Sequence, residues 1–174
     1  MATEALFFTS VIDAKENRCV ATCDIDGAFL RMLMRTLTHV KLTGKMAELM
    51  VQSNPGKYKK YLCTGNNGEK LLWAEVQKAL YGCLESARLL WNDITDYLTK
   101  TLGFEINPYD HCVANKTING KQCTIVWHVD DFKISHVDEK VVKQVIKLLE
   151  KRYGKMATNI RKKHTFVGIN FDFT

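Results

Sequence analysis

The sequence of 174 residues contains no apolar run close to the roughly 20 residues needed to span a bilayer. Its first residues, Met1-Ala2-Thr3-Glu4, lack a basic segment followed by an apolar stretch, so we expect no secretory signal. The six cysteines include no C-x-x-C pair, which argues against a zinc site and favours buried, reduced thiols. No internal repeat, low-complexity segment or linker is evident. We therefore expect one intracellular, soluble domain over residues 1–174, with no membrane contact.

Hydrophobic residues make up 46% of the chain, which is enough for a globular core. The net charge of +6 is unevenly distributed, because residues 140–164 hold nine basic side chains against Glu150 alone, a net of +8. Such a block is either the solvated face of a helix or a surface that follows a polyanion. The composition does not distinguish between these two interpretations.

Acidic residues occur at two predicted strand ends. Asp130 and Asp131 lie between strand-forming runs in Trp127–Ile134, and Asp24 lies in Cys23–Leu30. Each carboxylate of a close pair raises the pKa of the other, so it is costly to ionise both. A bound divalent cation removes that cost. An isolated Asp-Asp pair is more often a solvated turn, but a second acidic strand end favours a cation site.

The pattern of predicted elements indicates an α+β fold, an antiparallel sheet with helices packed on one face. Asn119-Gly120 predicts a tight hairpin, Asp138 a helix N-cap, and Gly103 the end of the longest helix. The predicted helices are 4–16, 44–51, 85–102 and 138–152, and the predicted strands are 18–23, 38–42, 61–63, 71–76, 112–117, 122–129 and 164–173.

Magnesium prefers oxygen ligands and usually takes one or two carboxylates together with substrate phosphates. A pair of such ions stabilises in-line displacement at phosphorus. Clustered aspartates on neighbouring strands therefore predict metal-dependent nucleotidyl transfer, which leaves both nucleotide cyclases and polymerases open.

Four segments carry a family resemblance. Asp24–Leu30 resembles the first aspartate box of retroelement reverse transcriptases, and His128–Asp131 resembles their Asp-Asp box. Lys78–Arg88 is similar to the KALYGLKQAPRAW segment of copia-type LTR retrotransposon polymerases, and Thr165–Ile169 resembles their FLGI region. The resemblance implies a polymerase palm with part of the fingers, using Mg²⁺ or Mn²⁺ to extend a primer on an RNA or DNA template with deoxynucleoside triphosphates.

The resemblance also implies roles for single residues. Asp24, Asp130 and Asp131 would be catalytic and would hold the metals together with the Ile25 carbonyl. Phe29 would exclude a 2′-hydroxyl, and Tyr81 and Gly82 would lie near the nascent base pair. The residues expected to bind nucleic acid are Arg88, Lys155, Lys162, Lys163, Phe166, Val167 and Gly168. A cytoplasmic retroelement particle or the nucleus is the implied location.

The sequence departs from the family pattern at Glu85 and Ala87, where glutamine and proline are usual, and at His128, where tyrosine is usual. We expect most of the fingers, the thumb and the RNase H region to have no counterpart in these 174 residues. The alternative is a catalytically inactive descendant that binds nucleic acid or a protein. A cyclase is disfavoured because no glycine lies between Gly120 and Gly154, the stretch that contains Asp130 and Asp131. The sequence predicts no oligomeric state.

Overall fold

A computed structural model of the protein describes residues 1–174. Helices and antiparallel strands are mixed along the chain, which confirms the predicted α+β class. The chain divides into unit 1, residues 1–28 and 87–174, and unit 2, residues 29–86. Assignment of the whole chain to one domain, a palm with partial fingers, stays a prediction. No helix has the length and hydropathy needed to cross a bilayer.

Unit 1 is built on a six-stranded antiparallel sheet with the strand order β5-β6-β7-β8-β1-β9. Its strands are β1 Cys19–Asp24, β5 Glu105–Ile106, β6 Val113–Ile118, β7 Lys121–His128, β8 Asp131–His136 and β9 Ala157–Asn159. A separate hairpin follows, with β10 Lys163–Phe166 and β11 Ile169–Asp172. Its helices are α1 Thr3–Lys15, α4 Ser86–Asp96, which begins at the last residue of unit 2, and α5 Glu139–Tyr153.

Helix α5 forms where apolar residues recur at helical spacing. Val141, Val145 and Leu149 are buried, and the helix packs against β1 and β8. The Asp138 side chain caps its N-terminus by accepting the Lys140 N–H at 2.8 Å, as the sequence predicts. Gly154 follows its last residue with φ 77°.

Helix α1 covers the face of the sheet that carries Lys133. Side chains alternate along β8, so Lys133 points away from the face of Phe132 and Ile134. The buried Lys133 ammonium forms a very short ion pair with Asp13 of α1, and Arg18 lies 3.9 Å from the same carboxylate. The structure thus places a helix on this face in addition to the predicted helical layer.

Unit 2 contains a three-stranded sheet with the order β2-β4-β3. Its elements are β2 His39–Thr43, α2 Gly44–Ser53, α3 Pro55–Tyr58, β3 Leu62–Thr64 and β4 Lys70–Glu75. Helix α2 packs on β4, where Ala47 and Leu72 are fully buried.

The predicted strand 164–173 is wrong, because the chain reverses at Val167 and Gly168, with φ of 51° and 74°, to form the β10–β11 hairpin. The predicted helix 85–102 is α4 followed by a π-helical turn, Tyr97–Thr101, where the Thr99 hydroxyl bonds to the Thr95 carbonyl at 2.7 Å. The Asn119-Gly120 hairpin is confirmed, with φ of 53° and 72°.

Candidate active site

The two acidic segments meet at one edge of the unit 1 sheet. Asp24, the last residue of β1, is the cross-strand partner of Asp131, the first residue of β8. The Ile25 N–H donates to the Asp130 carbonyl at 3.1 Å, so the pairing continues one step beyond the strands. The register thereby brings Asp24, Asp130 and Asp131 together, although the two segments are far apart in sequence.

The turn between β7 and β8 determines where Asp130 lies. His128 and Asp131 are partners, which leaves Val129 and Asp130 as a two-residue turn. Val129 has φ 58°, a left-handed conformation that is unfavourable for a β-branched residue. Such strain costs about 1–3 kcal/mol and persists where surrounding structure enforces it, most often at functional sites. Here the flanking β7–β8 ladder enforces it.

The carboxylates of this edge repel one another. Partial burial raises the pKa of Asp24, and the nearby charges of Asp130 and Asp26 raise it further. Partial burial likewise raises the pKa of Asp131, with additional contributions from Asp24 and Asp130 that His128 opposes. Asp24, Asp130 and Asp131 are all half-buried, so they remain accessible from solvent. A bound cation would relieve this repulsion.

The donor set fits a hard divalent cation whose coordination is completed by other oxygen ligands. No group of three or more His, Cys, Asp or Glu side chains stands close enough to hold a metal ion without other ligands. Magnesium needs only one or two carboxylates when phosphate oxygens and waters supply the rest. A role for the Ile25 carbonyl as a ligand stays a prediction.

The cysteines take no part in the site. All six are free; Cys23 and Cys123 are buried, and Cys63 is exposed, contrary to the expectation of buried thiols throughout. Burial raises the pKa of Cys23, next to Asp24, to about 12, so its thiol stays protonated and inert at neutral pH.

The residues predicted to bind the nucleotide lie in unit 2. Phe29 and Tyr81 contact each other edge to face, with ring centroids 5.3 Å apart and an interplanar angle of 77°. The Tyr81 side chain is 88% exposed. Gly82 has φ 88° with nothing within 4 Å of where a Cβ would lie, so the backbone is open to close approach there. The structure thus joins two of the sequence motifs, and their contact with a nucleotide stays a prediction.

Glu85, the acidic departure from the family pattern, is engaged within unit 2. Its carboxylate accepts hydrogen bonds from the Thr36 hydroxyl at 2.5 Å and from the Arg35 N–H at 3.1 Å. The Thr36 bond is the main cause of a lowered pKa for Glu85. The side chain therefore anchors the segment that follows η1, a 3-10 turn at Ala28–Arg31.

The residues predicted to bind nucleic acid lie in unit 1 in several settings. Phe166 is buried, so its ring belongs to the core, while Val167 and Gly168 form the exposed tip of the β10–β11 hairpin. Arg88, Lys155 and Lys162 are exposed. Lys162 and Lys163 line a surface cavity together with Arg161, but Lys163 also pairs with Asp172 at 3.1 Å.

Part of the basic block 140–164 is neutralised locally. Lys143 pairs with Glu139, and Arg152 pairs with Asp93 of α4, both at 2.5 Å. The remaining basic side chains of the block are exposed. The block is thus partly a paired helix face and partly an exposed cationic surface, and the binding of a polyanion there stays a prediction.

Two contributors to the site were not assigned from sequence. Asp26 adds to the negative charge around Asp24, and His128 is the cross-strand partner of Asp131. The signal for Asp26 was its position two residues after Asp24. The signal for His128 was its position three residues before Asp131. A two-residue turn between them makes the two residues cross-strand partners.

Comparison with known proteins places these features in a family. The model of the reverse transcriptase (RNA-dependent DNA polymerase) family matches residues 4–173. No curated protein matches the sequence. Apo telomerase from Candida tropicalis is similar in structure, with a TM-score of 0.50, 11% identity and coverage of 99% of this chain and 35% of that one.

Telomerase from Candida albicans, in complex with a fragment of telomeric RNA, is also similar, with a TM-score of 0.50, 11% identity and coverage of 98% of this chain and 34% of that one. The chain thus spans about a third of these proteins, and at such identity the likeness concerns the fold alone. Because the family match extends over almost its whole length, the chain belongs to the reverse transcriptase (RNA-dependent DNA polymerase) family.

Proposed function

We propose that this chain is the catalytic core of an RNA-directed DNA polymerase, which adds deoxynucleotides to a primer 3′-hydroxyl on an RNA or DNA template. The observation that carries the proposal is the cross-strand pairing of Asp24 with Asp131, with Asp130 fixed beside them by the Ile25 N–H. The KALYG-type segment favours a copia-type LTR retrotransposon as the source. Such an enzyme would work inside the cell, in a cytoplasmic particle or the nucleus.

The carboxylates of Asp24, Asp130 and Asp131, with the Ile25 carbonyl, would hold Mg²⁺ or Mn²⁺. When bound, two such ions activate the attacking hydroxyl and neutralise charge on the leaving pyrophosphate. The protein positions its ligands on paired strand ends, which are rigid, and keeps them half-buried so that phosphates reach them. The raised pKa values of Asp24 and Asp131 mean that acid protonates these ligands earlier than ordinary aspartates.

The proposed selection of the sugar rests on Phe29. Its ring packs against Tyr81, and this contact restricts the position of the Phe29 ring. A ring held in place excludes a 2′-hydroxyl by steric contact more effectively than a mobile one. The open backbone at Gly82 would admit the base pair that forms next to it.

The proposed binding of primer and template is mainly electrostatic. Arg88, Lys155, Lys162 and Lys163 would contact phosphates, and the Val167-Gly168 turn would support the primer through its backbone. Phosphate contacts fix the register of a nucleic acid without reading its sequence.

Extension of a labelled primer on an RNA template, with Mg²⁺ or Mn²⁺ and all four deoxynucleotides, tests the proposal. We expect products longer than the primer, and none when the metal is chelated. A folded chain that binds primer–template but never extends it would contradict the proposal and favour the alternative, a descendant that only binds nucleic acid. Gel shift with the same primer–template separates that outcome from simple loss of binding.

A further inference from the structure

Unit 2 contains a surface cavity of about 440 Å³ that the proposed catalysis does not use. Three aromatic side chains line it, Tyr58, Tyr61 and Trp73, together with His39, Lys57 and Glu75. Tyr61 and Trp73 are 52% and 54% exposed, so about half of the surface of each residue is accessible. A cluster of apolar rings at one surface site is of the kind that marks an interaction site.

Each of the three rings has a lysine ammonium over it. Lys60 lies 4.9 Å from the centroid of Tyr61, Lys57 lies 5.2 Å from that of Tyr58, and Lys41 lies 5.8 Å from that of Trp73. Lys41 and Trp73 are direct cross-strand partners of β2 and β4, and His39 pairs in the same way with Glu75. Each aromatic ring of the cavity is therefore next to a cation, and one of the three lysines, Lys57, lines the cavity itself.

The surrounding charge favours an anionic ligand. Unit 2 holds nine lysines and arginines against four glutamates, a net of +5 out of the +6 of the whole chain. Only one acidic residue, Glu75, lines the cavity. Aromatic faces that stack bases, next to cations that contact the backbone, are how proteins bind single-stranded nucleic acid without reading sequence.

A duplex does not match this cavity, because its bases stack on each other and their faces are not available to a protein ring. An apolar protein surface is matched less well, since the three lysines next to the rings would lose hydration without acidic groups to compensate. An unpaired strand offers both free base faces and phosphates.

We infer that this cavity binds the unpaired bases of a single-stranded nucleic acid, stacked on Trp73 and Tyr61, with Lys41, Lys57 and Lys60 near its phosphates. Building on the proposed function, the strand would be the part of the template not yet copied. The cavity is thus a stacking site for unpaired bases, and a duplex would bind at other surfaces.

The test measures binding of the full chain to a fluorescent single-stranded oligouridylate and to a blunt RNA–DNA duplex, by anisotropy at one salt concentration. Stacking on an aromatic ring is worth about 1–3 kcal/mol per base, so Trp73→Ala should weaken single-strand binding roughly 5- to 150-fold. Binding to the duplex should not change. Trp73→Phe should keep most of the affinity, because phenylalanine still stacks.

Tryptophan fluorescence provides a second readout. Stacking of a base on Trp73 should quench emission, and Trp73→Phe should abolish this quenching while binding persists; Trp127, which is 1% exposed, should be unaffected by ligand. Tyr109→Ala is the matched control, because that residue is 97% exposed, belongs to unit 1 and does not line this cavity. Tyr61→Ala repeats the test if Trp73→Ala does not fold, as judged by circular dichroism.

Unchanged single-strand affinity in both alanine variants, or equal weakening of single-strand and duplex binding, would overturn the inference. The assay contains no primer, nucleotide or metal ion. Trp73-dependent binding by a chain that never extends a primer would therefore support the stacking site while contradicting the proposed polymerase.

Discussion

Asp24 and Asp131 face each other across two strands, and partial burial is the main cause of the raised pKa of both. The charge of Asp24 raises the pKa of Asp131 further, and those of Asp130 and Asp26 raise that of Asp24. A carboxyl with a raised pKa binds its proton more tightly in the folded than in the unfolded chain. As pH rises above the ordinary pKa of 3.8, the folded state therefore loses stability until the raised pKa is passed. At neutral pH the two ionised carboxylates therefore lower the stability of the folded chain. A site selected only for stability would not retain both of them.

We expect Asp131→Asn to raise the melting temperature at pH 7, because it removes one of the repelling charges. The gain should be small, since partly exposed charges interact by less than about 1 kcal/mol, which for a chain of this size corresponds to about 2–4 °C. Below pH 3.5 the gain should vanish, because the carboxyls are then protonated. Scanning calorimetry at both pH values makes the measurement.

Magnesium supplies the control for that experiment. A cation that binds only the folded state raises the melting temperature of the parent chain in a concentration-dependent way, and Asp131→Asn should lose most of this effect. A variant that melts lower than the parent at pH 7, or a difference that does not change with pH, would contradict the electrostatic account.

Val129 has an unfavourable backbone conformation, with φ 58° in the turn that carries Asp130. Val129→Gly should relieve about 1–3 kcal/mol of strain and lose about 0.5–1 kcal/mol through greater freedom of the unfolded chain, for a net stabilisation of about 1 kcal/mol. We expect slower primer extension, because the turn would no longer hold Asp130 in one position.

Urea denaturation gives the stability of that variant. Asn119→Gly is the matched control, since Asn119 has φ 53° in another two-residue hairpin and asparagine tolerates this region. It should change stability by a few tenths of a kcal/mol only. If Val129→Gly destabilises the chain, the turn is not strained as we describe.

At the scale of elements, a buried charge network joins α1 to the central sheet. Lys133 of β8 and Asp13 of α1 are 2% and 1% exposed, and Arg18 shares the same carboxylate at 3.9 Å. Burial, which removes hydration, lowers the pKa of Lys133, and the Asp13 carboxylate opposes that shift. Each member of the network is costly to bury without the others.

Asp13→Asn should therefore lower the free energy of unfolding by about 3–5 kcal/mol, because it leaves the Lys133 charge buried without its carboxylate. Adding Lys133→Met should recover a large part of that loss. Asp96→Asn breaks the exposed Lys100–Asp96 pair, 2.9 Å apart, and should cost only about 0.3–0.5 kcal/mol. Equal losses for Asp13→Asn and Asp96→Asn in urea would contradict the network.

Elements with a local signal were predictable. Asp138 marks the start of α5, and Asn119-Gly120 marks the β6–β7 turn, because caps and tight turns depend on neighbouring residues. Strand β9 has three residues and no pattern of its own, and it exists because it pairs with β1. The turn at Val167 was missed because valine favours strands, and only the tertiary structure holds it at φ 51°.

The candidate site was predictable to a similar degree. The motifs identified Asp24, Asp130 and Asp131, and the structure brings these three together. The burial of Lys133 was not predictable, because alternation along β8 suggests a solvated lysine and its partner, Asp13, lies far upstream. The division into two units was equally hidden, since no linker marks it in the sequence.

At the scale of the whole molecule, the exposed part of the basic block predicts binding that depends on salt. Each phosphate contact contributes a slope of about −0.9 to the logarithm of affinity against the logarithm of salt concentration. Lys162→Gln should make the slope for a duplex less steep by about that amount, because Lys162 is exposed beside Arg161. Lys143→Gln should leave it unchanged, since Lys143 pairs with Glu139. Affinity that does not vary with salt would mean that the block only aids solubility.

The central claim, that the paired strand ends form a metal-dependent polymerase site, is tested most directly by single-nucleotide incorporation in four matched variants. Asp24→Asn, Asp130→Asn and Asp131→Asn should each lose at least about a hundredfold in rate while remaining folded, because metal ions supply several kcal/mol of charge stabilisation. Asp26→Asn, in the same acidic loop but outside the predicted ligands, should retain most of the activity. If the parent chain incorporates nucleotides and all three ligand variants do so as well, the account is contradicted. An equal loss of activity in Asp26→Asn would also contradict it.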